Sequence, residues 1–298
     1  MTRVGIVGVG AMGMGIVKTL LSKGFTVLVR DIVPEREAEA IAAGAQRGAT
    51  PAEIAARVDI LITVVVDAVQ TRQVLTGDRP LVPSGGTGGL SPVVMMCSTI
   101  APGDAEDIAA RLGERSIAML DAPISGGPAR AHAGTLSMMA AGSDSAFERC
   151  RSVIEAITAK CFRIGERPGD GSRMKVVNNM LAAANLAAGC EAMALAAKLG
   201  LDLRQAADVV DASSGGSWIF SDRMPRALAG DYTPRAAARV LLKDVGLFVD
   251  AARALGLEAP MAKQAQEIFR DTVARGFAEE DDAAVLKRYA AAWSVKLP

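Results

Sequence analysis

Residues 3–15 read Arg-Val-Gly-Ile-Val-Gly-Val-Gly-Ala-Met-Gly-Met-Gly. Arg3–Val9 has the β-branched, apolar content of a buried strand, and Met12–Lys23 carries a helical pattern directly after it. Between them Gly8, Gly10 and Gly13 stand as G-x-G-x-x-G. In a strand–turn–helix setting each glycine has a separate task. The first permits the tight turn, the second lets the backbone approach a pyrophosphate, and the third lets helix and strand pack closely. The phosphates would sit at the helix N-terminus, on free N–H groups and the positive end of the dipole. A second strand, Phe25–Asp31, follows and ends on a carboxylate. Asp31 is placed to accept hydrogen bonds from the adenine ribose hydroxyls and to repel a 2′-phosphate, which favours NAD. The alternative is an ordinary strand-terminal Asp with no ligand. Arg30 could approach a 2′-phosphate, so NADP stays open. The candidate cofactor residues here are Gly8, Gly10, Ala11, Met12, Gly13, Asp31, Val65 and Val66.

The strand–helix alternation continues beyond this unit. Asp59–Val66 and Val93–Thr99 read as strands, with shorter candidates at Ile117–Asp121 and Leu136–Ala140. Pro34–Ala43 and Gly103–Leu112 read as helices, and the Gly- and Pro-rich segment Asp78–Pro92 as a loop. Such alternation predicts a parallel sheet covered by helices. After Gly169 the strand-like runs stop. Long Ala-, Leu- and Met-rich stretches follow at 171–199, 202–212, 235–255, 261–275 and 281–291. The predicted fold is therefore an α/β Rossmann-type N-terminal domain, 1–165, and an all-α C-terminal domain, 166–298, for substrate and oligomerisation. The boundary is the Gly-Glu-Arg-Pro-Gly-Asp-Gly stretch at 165–171.

Composition removes several function classes. The 298 residues carry 33 basic and 33 acidic side chains, with no long block of one sign, so nothing points to nucleic acid. The N-terminus lacks the ordered regions of a signal peptide. Val176–Cys190 is short and holds three Asn, which argues against a membrane span. Cys97, Cys150, Cys161 and Cys190 show no C-x-x-C spacing, and fit reduced core cysteines of a cytoplasmic protein. His132 is the only histidine and reads as a loop residue. No metal site is expected.

Oxidation of an alcohol needs a base for the hydroxyl proton and donors to hold the substrate. Lys175 begins a segment, Val176–Cys190, without any charged residue. A lysine at the edge of a dry region has its charged form disfavoured. Asn179 lies one helical turn further on and could hold a substrate oxygen. A snorkelling lysine and a structural amide explain the same pattern. Residues 121–127, Asp-Ala-Pro-Ile-Ser-Gly-Gly, add a second element. Ser125, Gly126 and Gly127 offer N–H groups and a hydroxyl on a strand-to-loop turn, which can bind a carboxylate.

Taken together, G-x-G-x-M-G, D-A-P-x-S-G-G and G-x-x-x-K-x-x-x-N at 171–179 resemble the β-hydroxyacid dehydrogenase family, over essentially the full chain. The resemblance implies two domains joined by a long helix with an active site in the cleft between them. It implies Lys175 as catalytic acid/base, with Asn179 and Ser125–Gly127 as substrate ligands. Thr99 and Lys243 match family positions at the nicotinamide end, and Lys243 is held only through the resemblance. Thr99 also follows a strand on the expected carboxyl edge of the sheet. Trp218 either walls the substrate pocket or is a core tryptophan. Residues 213–247 look most like the L-threonate branch, whereas Lys-Val-Val-Asn-Asn at 175–179 looks like the 3-hydroxyisobutyrate type. The expected activity is reversible hydride transfer between a short 3-hydroxy acid and NAD. The alternatives are an NADPH-dependent reductase of small aldehyde acids, an imine reductase, and a non-catalytic cofactor-binding scaffold. Lys175 and Asp31 speak against them. The apolar helix at 176–190 needs burial on all sides, which predicts a homo-oligomer, a dimer or a tetramer.

Overall fold

The structure is a computed structural model that describes residues 2–77, 81 and 91–297. Of the expected loop Asp78–Pro92, residues 78–80 and 82–90 lie outside the described residues. The chain divides into two compact units, the first ending at Lys175 and the second beginning at Val176.

In the first unit six strands run parallel: β1 (Arg3–Val7), β2 (Thr26–Arg30), β3 (Gln46–Arg47), β4 (Ile60–Thr63), β5 (Val93–Met96) and β6 (Met119–Asp121). Their order is β3-β2-β1-β4-β5-β6. The direction of winding reverses between β1 and β4, and in open α/β sheets the ligand crevice lies outside the strand ends at that point. Three further strands, β7 (Ile124–Ser125), β8 (Leu136–Ala141) and β9 (Thr158–Gly165), extend the sheet. β8 is antiparallel to β6 and β7, and β9 is parallel to β8.

The near-continuous apolar strands follow from burial on both faces. Ile60, Ile62, Val93 and Met95 belong to one hydrophobic cluster, whereas Leu61, Val94 and Met96 belong to another. Alternate side chains thus enter opposite layers, as the two-residue strand period requires. The layers are supplied by α1 (Ala11–Ser22), α2 (Pro34–Ala42), α3 (Pro51–Ala55), α4 (Ala68–Thr76), α5 (Pro102–Gly113), α6 (Gly127–Ala133) and α7 (Asp144–Ile157). Thr50, Asp67 and Ser143 cap α3, α4 and α7 through their side-chain oxygens.

α8 (Asp170–Lys198) runs from the first unit into the second. The second unit continues with α9 (Leu203–Asp211), α10 (Trp218–Leu228), α11 (Ala238–Ala254), α12 (Pro260–Thr272) and α13 (Val285–Trp293). Its core joins Leu186, Cys190 and Met193 of α8 to Phe220, Val245, Phe269 and Leu286. The Rossmann-type sheet, the helical second part and the long linking helix match the predicted fold class.

Several local expectations are corrected. β9 is absent from the predicted strands because it is an edge strand with little buried surface, and Phe162 and Ile164 are about two-fifths exposed. α10 is also unpredicted, since Ser-Ser-Gly-Gly-Ser precedes it and Pro225 lies inside it. His132 lies on α6 rather than in a loop. The segment judged too short to span a bilayer sits in a 29-residue helix that is long and apolar enough by length and composition to do so. That helix is not buried all round: Val177 is 44% exposed and Leu181 54%. Cys97, Cys150 and Cys190 are buried and Cys161 half-buried, all as free thiols. Burial pushes the Cys150 thiol up to about 12.

Candidate active site

The three glycines differ in what surrounds them. Gly8 has φ +95°, and a Cβ there would lie 2.4 Å from the Val64 carbonyl oxygen. A Cβ on Gly13 would lie 2.0 Å from the Gly8 carbonyl oxygen, so the third glycine is required by helix–strand contact. Gly10 is the opposite case. The nearest atom to a Cβ there is the tip of Arg36, at 3.8 Å. Open ground therefore lies over Gly10, and a cavity of about 270 Å³ beside it is lined by Ala11, Met14, Lys18, Arg36 and His132 among others. α1 starts at Gly10 as N-cap without a side-chain cap, which leaves its first N–H groups for a ligand.

Asp31, just past β2, is 6% exposed. Its Oδ2 accepts from the Val9 N–H at 2.6 Å and its Oδ1 from the Val33 N–H at 2.8 Å. One carboxylate thus ties the glycine turn to the turn after β2. Each oxygen retains acceptor capacity for a ribose hydroxyl. Past β4, the Val65 N–H donates to Ser98 Oγ at 3.1 Å, which joins the ends of β4 and β5. Val65 and Thr99 are half-buried and Val66 is 38% exposed. All of these residues stand at carboxyl ends of parallel strands. A glycine cradle, an uncapped helix start and a placed carboxylate fit a dinucleotide.

The first unit also holds Lys175, which is 7% exposed. Its Nζ donates to the Ile124 carbonyl oxygen at 2.7 Å. Ile124 immediately precedes Ser125, Gly126 and Gly127, so the lysine is tied to the residue that leads into the Ser-Gly-Gly turn. Gly126 and Gly127 have φ +128° and +71°, where a larger residue would be strained.

Asp121, which the sequence does not single out for a role, explains why the lysine lies there. Its Oδ2 accepts from the Gly169 and Ser172 N–H groups, and its Oδ1 from Ser172 Oγ, each at 2.8 Å. It therefore holds the start of α8 three residues before Lys175. Burial pushes its carboxyl above the usual range, and the Ser172 and Gly169 donors oppose that rise. Gly171 permits the approach, since a Cβ there would lie 2.5 Å from the Met139 carbonyl oxygen.

In the second unit, Asn179 is 7% exposed and its amide is bonded at both ends. Nδ2 donates to Asp244 Oδ2 at 2.6 Å, and Oδ1 accepts from Asn178 Nδ2 at 3.0 Å. The Lys243 ammonium lies 2.6 Å from Asp244 Oδ1, a contact of charge rather than a well-directed hydrogen bond. The buried Asp244 is a second residue the sequence leaves unmarked, although it directly follows Lys243. Trp218 opens α10 and is 47% exposed, which removes the reading of it as a core tryptophan.

Comparison with known proteins adds independent findings. The family described as the NAD binding domain of 6-phosphogluconate dehydrogenase matches residues 3–165. The family described as NAD-binding of NADP-dependent 3-hydroxyisobutyrate dehydrogenase matches residues 169–289. An L-threonate dehydrogenase of Cupriavidus necator is 40% identical over 96% of this chain and 95% of its own. An NAD-dependent L-serine dehydrogenase of Pseudomonas aeruginosa is 33% identical over 97% of this chain and 98% of its own. The crystal structure of a 3-hydroxyisobutyrate dehydrogenase from Salmonella typhimurium superposes with a TM-score of 0.89 at 41% identity, covering 97% of this chain and 100% of that one.

Proposed function

The chain belongs to the β-hydroxyacid dehydrogenase family and is an NAD-dependent hydroxyacid dehydrogenase, and from that premise we propose that Lys175 is its acid/base and a short, L-threonate-like hydroxy acid its substrate. Bound NAD supplies the hydride acceptor. Gly8, Gly10, Ala11, Met12 and Gly13 would hold its pyrophosphate and Asp31 its adenine ribose, Val65, Val66 and Thr99 would contact it, and the family resemblance assigns Lys243 to the nicotinamide. Ser125, Gly126 and Gly127 receive the substrate carboxylate through N–H groups and a hydroxyl. Lys175 takes the hydroxyl proton at Nζ and returns it in the reverse direction. Its bond to the Ile124 carbonyl is compatible with this, since a neutral amine keeps a lone pair while donating. Asn179, oriented by Asp244, holds a substrate oxygen, and Trp218 borders the substrate.

The observation that carries this reading is the 2.7 Å contact of Lys175 Nζ with the residue preceding the Ser-Gly-Gly turn. It supports the pairing of a proton acceptor with an anion-binding turn. The substrate assignment is supported by the L-threonate dehydrogenase relative, which is more similar to this chain than the L-serine dehydrogenase. The test is Lys175→Ala, with turnover and NADH affinity measured separately on a panel of L-threonate, 3-hydroxyisobutyrate, glycerate and L-serine. Turnover is expected to be lost while NADH binding is kept. Turnover near wild type in the variant rejects Lys175, and wild-type preference for another acid rejects the substrate assignment.

We propose further that residues 1–165 form the NAD-binding domain, which also lends Ser125–Gly127 to the substrate, and that 166–298 form the substrate and oligomerisation domain, which also lends Lys243 to the cofactor. A second copy of the chain covers α8, whose Val177, Leu181 and Leu195 are exposed at helical spacing. The free, buried thiols fit a cytoplasmic location.

A further inference from the structure

Arg30 immediately precedes Asp31 at the end of β2, where a guanidinium would attract a 2′-phosphate. Its side chain is turned to another task. Nη1 lies 2.5 Å from Glu37 Oε2 and also donates to the Asp31 carbonyl oxygen. Glu37, on the first turn of α2, is 4% exposed, an uncommon burial for a glutamate on a surface helix. The same Oε2 accepts from the Asp31 N–H at 3.1 Å, and Oε1 pairs with Arg47 Nε of β3 at 2.8 Å. Burial alone would raise the Glu37 carboxyl. The Arg30 hydrogen bond, the Asp31 N–H and the charges of Arg30 and Arg47 outweigh it and hold the group below the usual range. One buried carboxylate therefore binds both neighbouring guanidinium groups and the backbone of the ribose-side aspartate.

We infer that Glu37 is a positioning residue that sets the dinucleotide preference, by withdrawing Arg30 from the adenine ribose and fixing the backbone that carries Asp31. The inference rests on the cofactor reading given above. The chemistry follows from charge. With Glu37 in place the ribose side presents the Asp31 carboxylate, which accepts from hydroxyls and repels a phosphate. With Glu37 neutral, Arg30 loses its main partner and becomes available to a 2′-phosphate, which guanidinium binds in a fork geometry. Selectivity for NAD over NADP then depends on a residue that need not touch either cofactor.

The experiment titrates the purified full-length protein with NADH and with NADPH, by fluorescence or calorimetry. Glu37→Gln keeps the side-chain volume and an acceptor for the Asp31 N–H while removing the charge. It is expected to improve the ratio of NADPH to NADH affinity by about tenfold, the size of one charge-assisted hydrogen bond. Adding Arg30→Ala to Glu37→Gln should return the ratio to its wild-type value. Arg30→Ala alone should leave it unchanged, because Arg30 is already withdrawn, and this arm holds even where Glu37→Gln folds poorly. An unchanged ratio in folded Glu37→Gln overturns the inference. So does a gain that survives Arg30→Ala, which would assign it to Arg36, and so does weaker NADPH binding in Arg30→Ala alone. Asp31→Ala separates the two levels. Unaltered NADH binding in that variant rejects the cofactor reading itself, whereas weakened NADH binding with an unchanged Glu37→Gln ratio rejects only the role of Glu37.

Discussion

A methyl group on Gly13 would sit 2.0 Å from a backbone oxygen, which cannot rotate aside as a side chain can. Among the described residues, a methyl group on Gly10 would meet only the flexible end of Arg36. The two glycines therefore make separable predictions. Gly13→Ala should shift the turn and destabilise the fold by about 1–3 kcal/mol, the range for forced overpacking, and weaken NADH binding with it. Gly10→Ala should leave the melting temperature near wild type and still weaken NADH binding, because its Cβ would fill the ground proposed for the pyrophosphate. Paired thermal melts and NADH titrations check both. Tight NADH binding by Gly10→Ala would remove the cradle from this face of the turn. At this scale the sequence is informative, since glycine spacing is local. It assigns Gly10 and Gly13 separate tasks, and the structure adds the clash at Gly13 and the room at Gly10.

The start of α8 is the element on which the proposed chemistry depends. Asp121 takes the Gly169 N–H just ahead of it and the Ser172 N–H and hydroxyl from its first turn, and Lys175 follows within the next. Replacing Asp121 by Asn keeps the shape but presents an N–H where an acceptor is needed. Loss of these buried bonds should cost about 1–3 kcal/mol in urea unfolding. It should also lower kcat per folded molecule while NADH affinity stays unchanged. Ser172→Ala removes only the hydroxyl and should cost about 1 kcal/mol, with a smaller fall in kcat. A loss of stability with normal kcat in both variants would show that Asp121 supports the fold without placing the lysine. Asp121 stands within a motif the sequence displays, yet its partners are about fifty residues away, so its task is not legible there. β9 and α10 show the same limit. The first is an exposed edge, and the second begins in a Gly/Ser run and contains a proline.

At the scale of the whole molecule, the second unit buries an arginine among carboxylates. Arg223, Asp281 and Asp282 are all buried, with Arg223 Nε 2.7 Å from Asp282 Oδ1 and 3.5 Å from Asp281 Oδ1. Burial pushes the Asp282 carboxyl up, to about 7, against the pull of Arg223 and with Asp281 adding repulsion. Its folded-state value is thus raised above the ordinary 3.8. Its contribution to stability is then complete below 3.8 and is lost as the pH rises through about 7, beyond which it is constant. The difference in unfolding free energy between wild type and Asp282→Asn should fall across that window. A flat difference would mean that Asp282 ionises as it does in the unfolded chain. Assembly belongs to this scale too. Leu181→Glu with Leu195→Glu should reduce the mass measured by light scattering, and a wild-type monomer at micromolar concentration would reject the proposed interface on α8.

The sequence by itself determined the layered architecture and the cofactor class. Strand and helix periods, and the placing of glycines and an aspartate after two strands, are properties of a dozen neighbouring residues. It also marked Lys175 and Ser125–Gly127 as candidates without showing that they meet. The tertiary structure ties Lys175 to the residue before that turn, through the bond from Nζ to the Ile124 carbonyl oxygen. It decided equally that Asp121 holds the start of α8, that Asp244 orients Asn179, and that Glu37 engages Arg30. The physical reason is common to these carboxylates. A buried carboxylate needs donors, and those of Asp121 come from 48 and 51 residues away and that of Asp244 Oδ2 from 65.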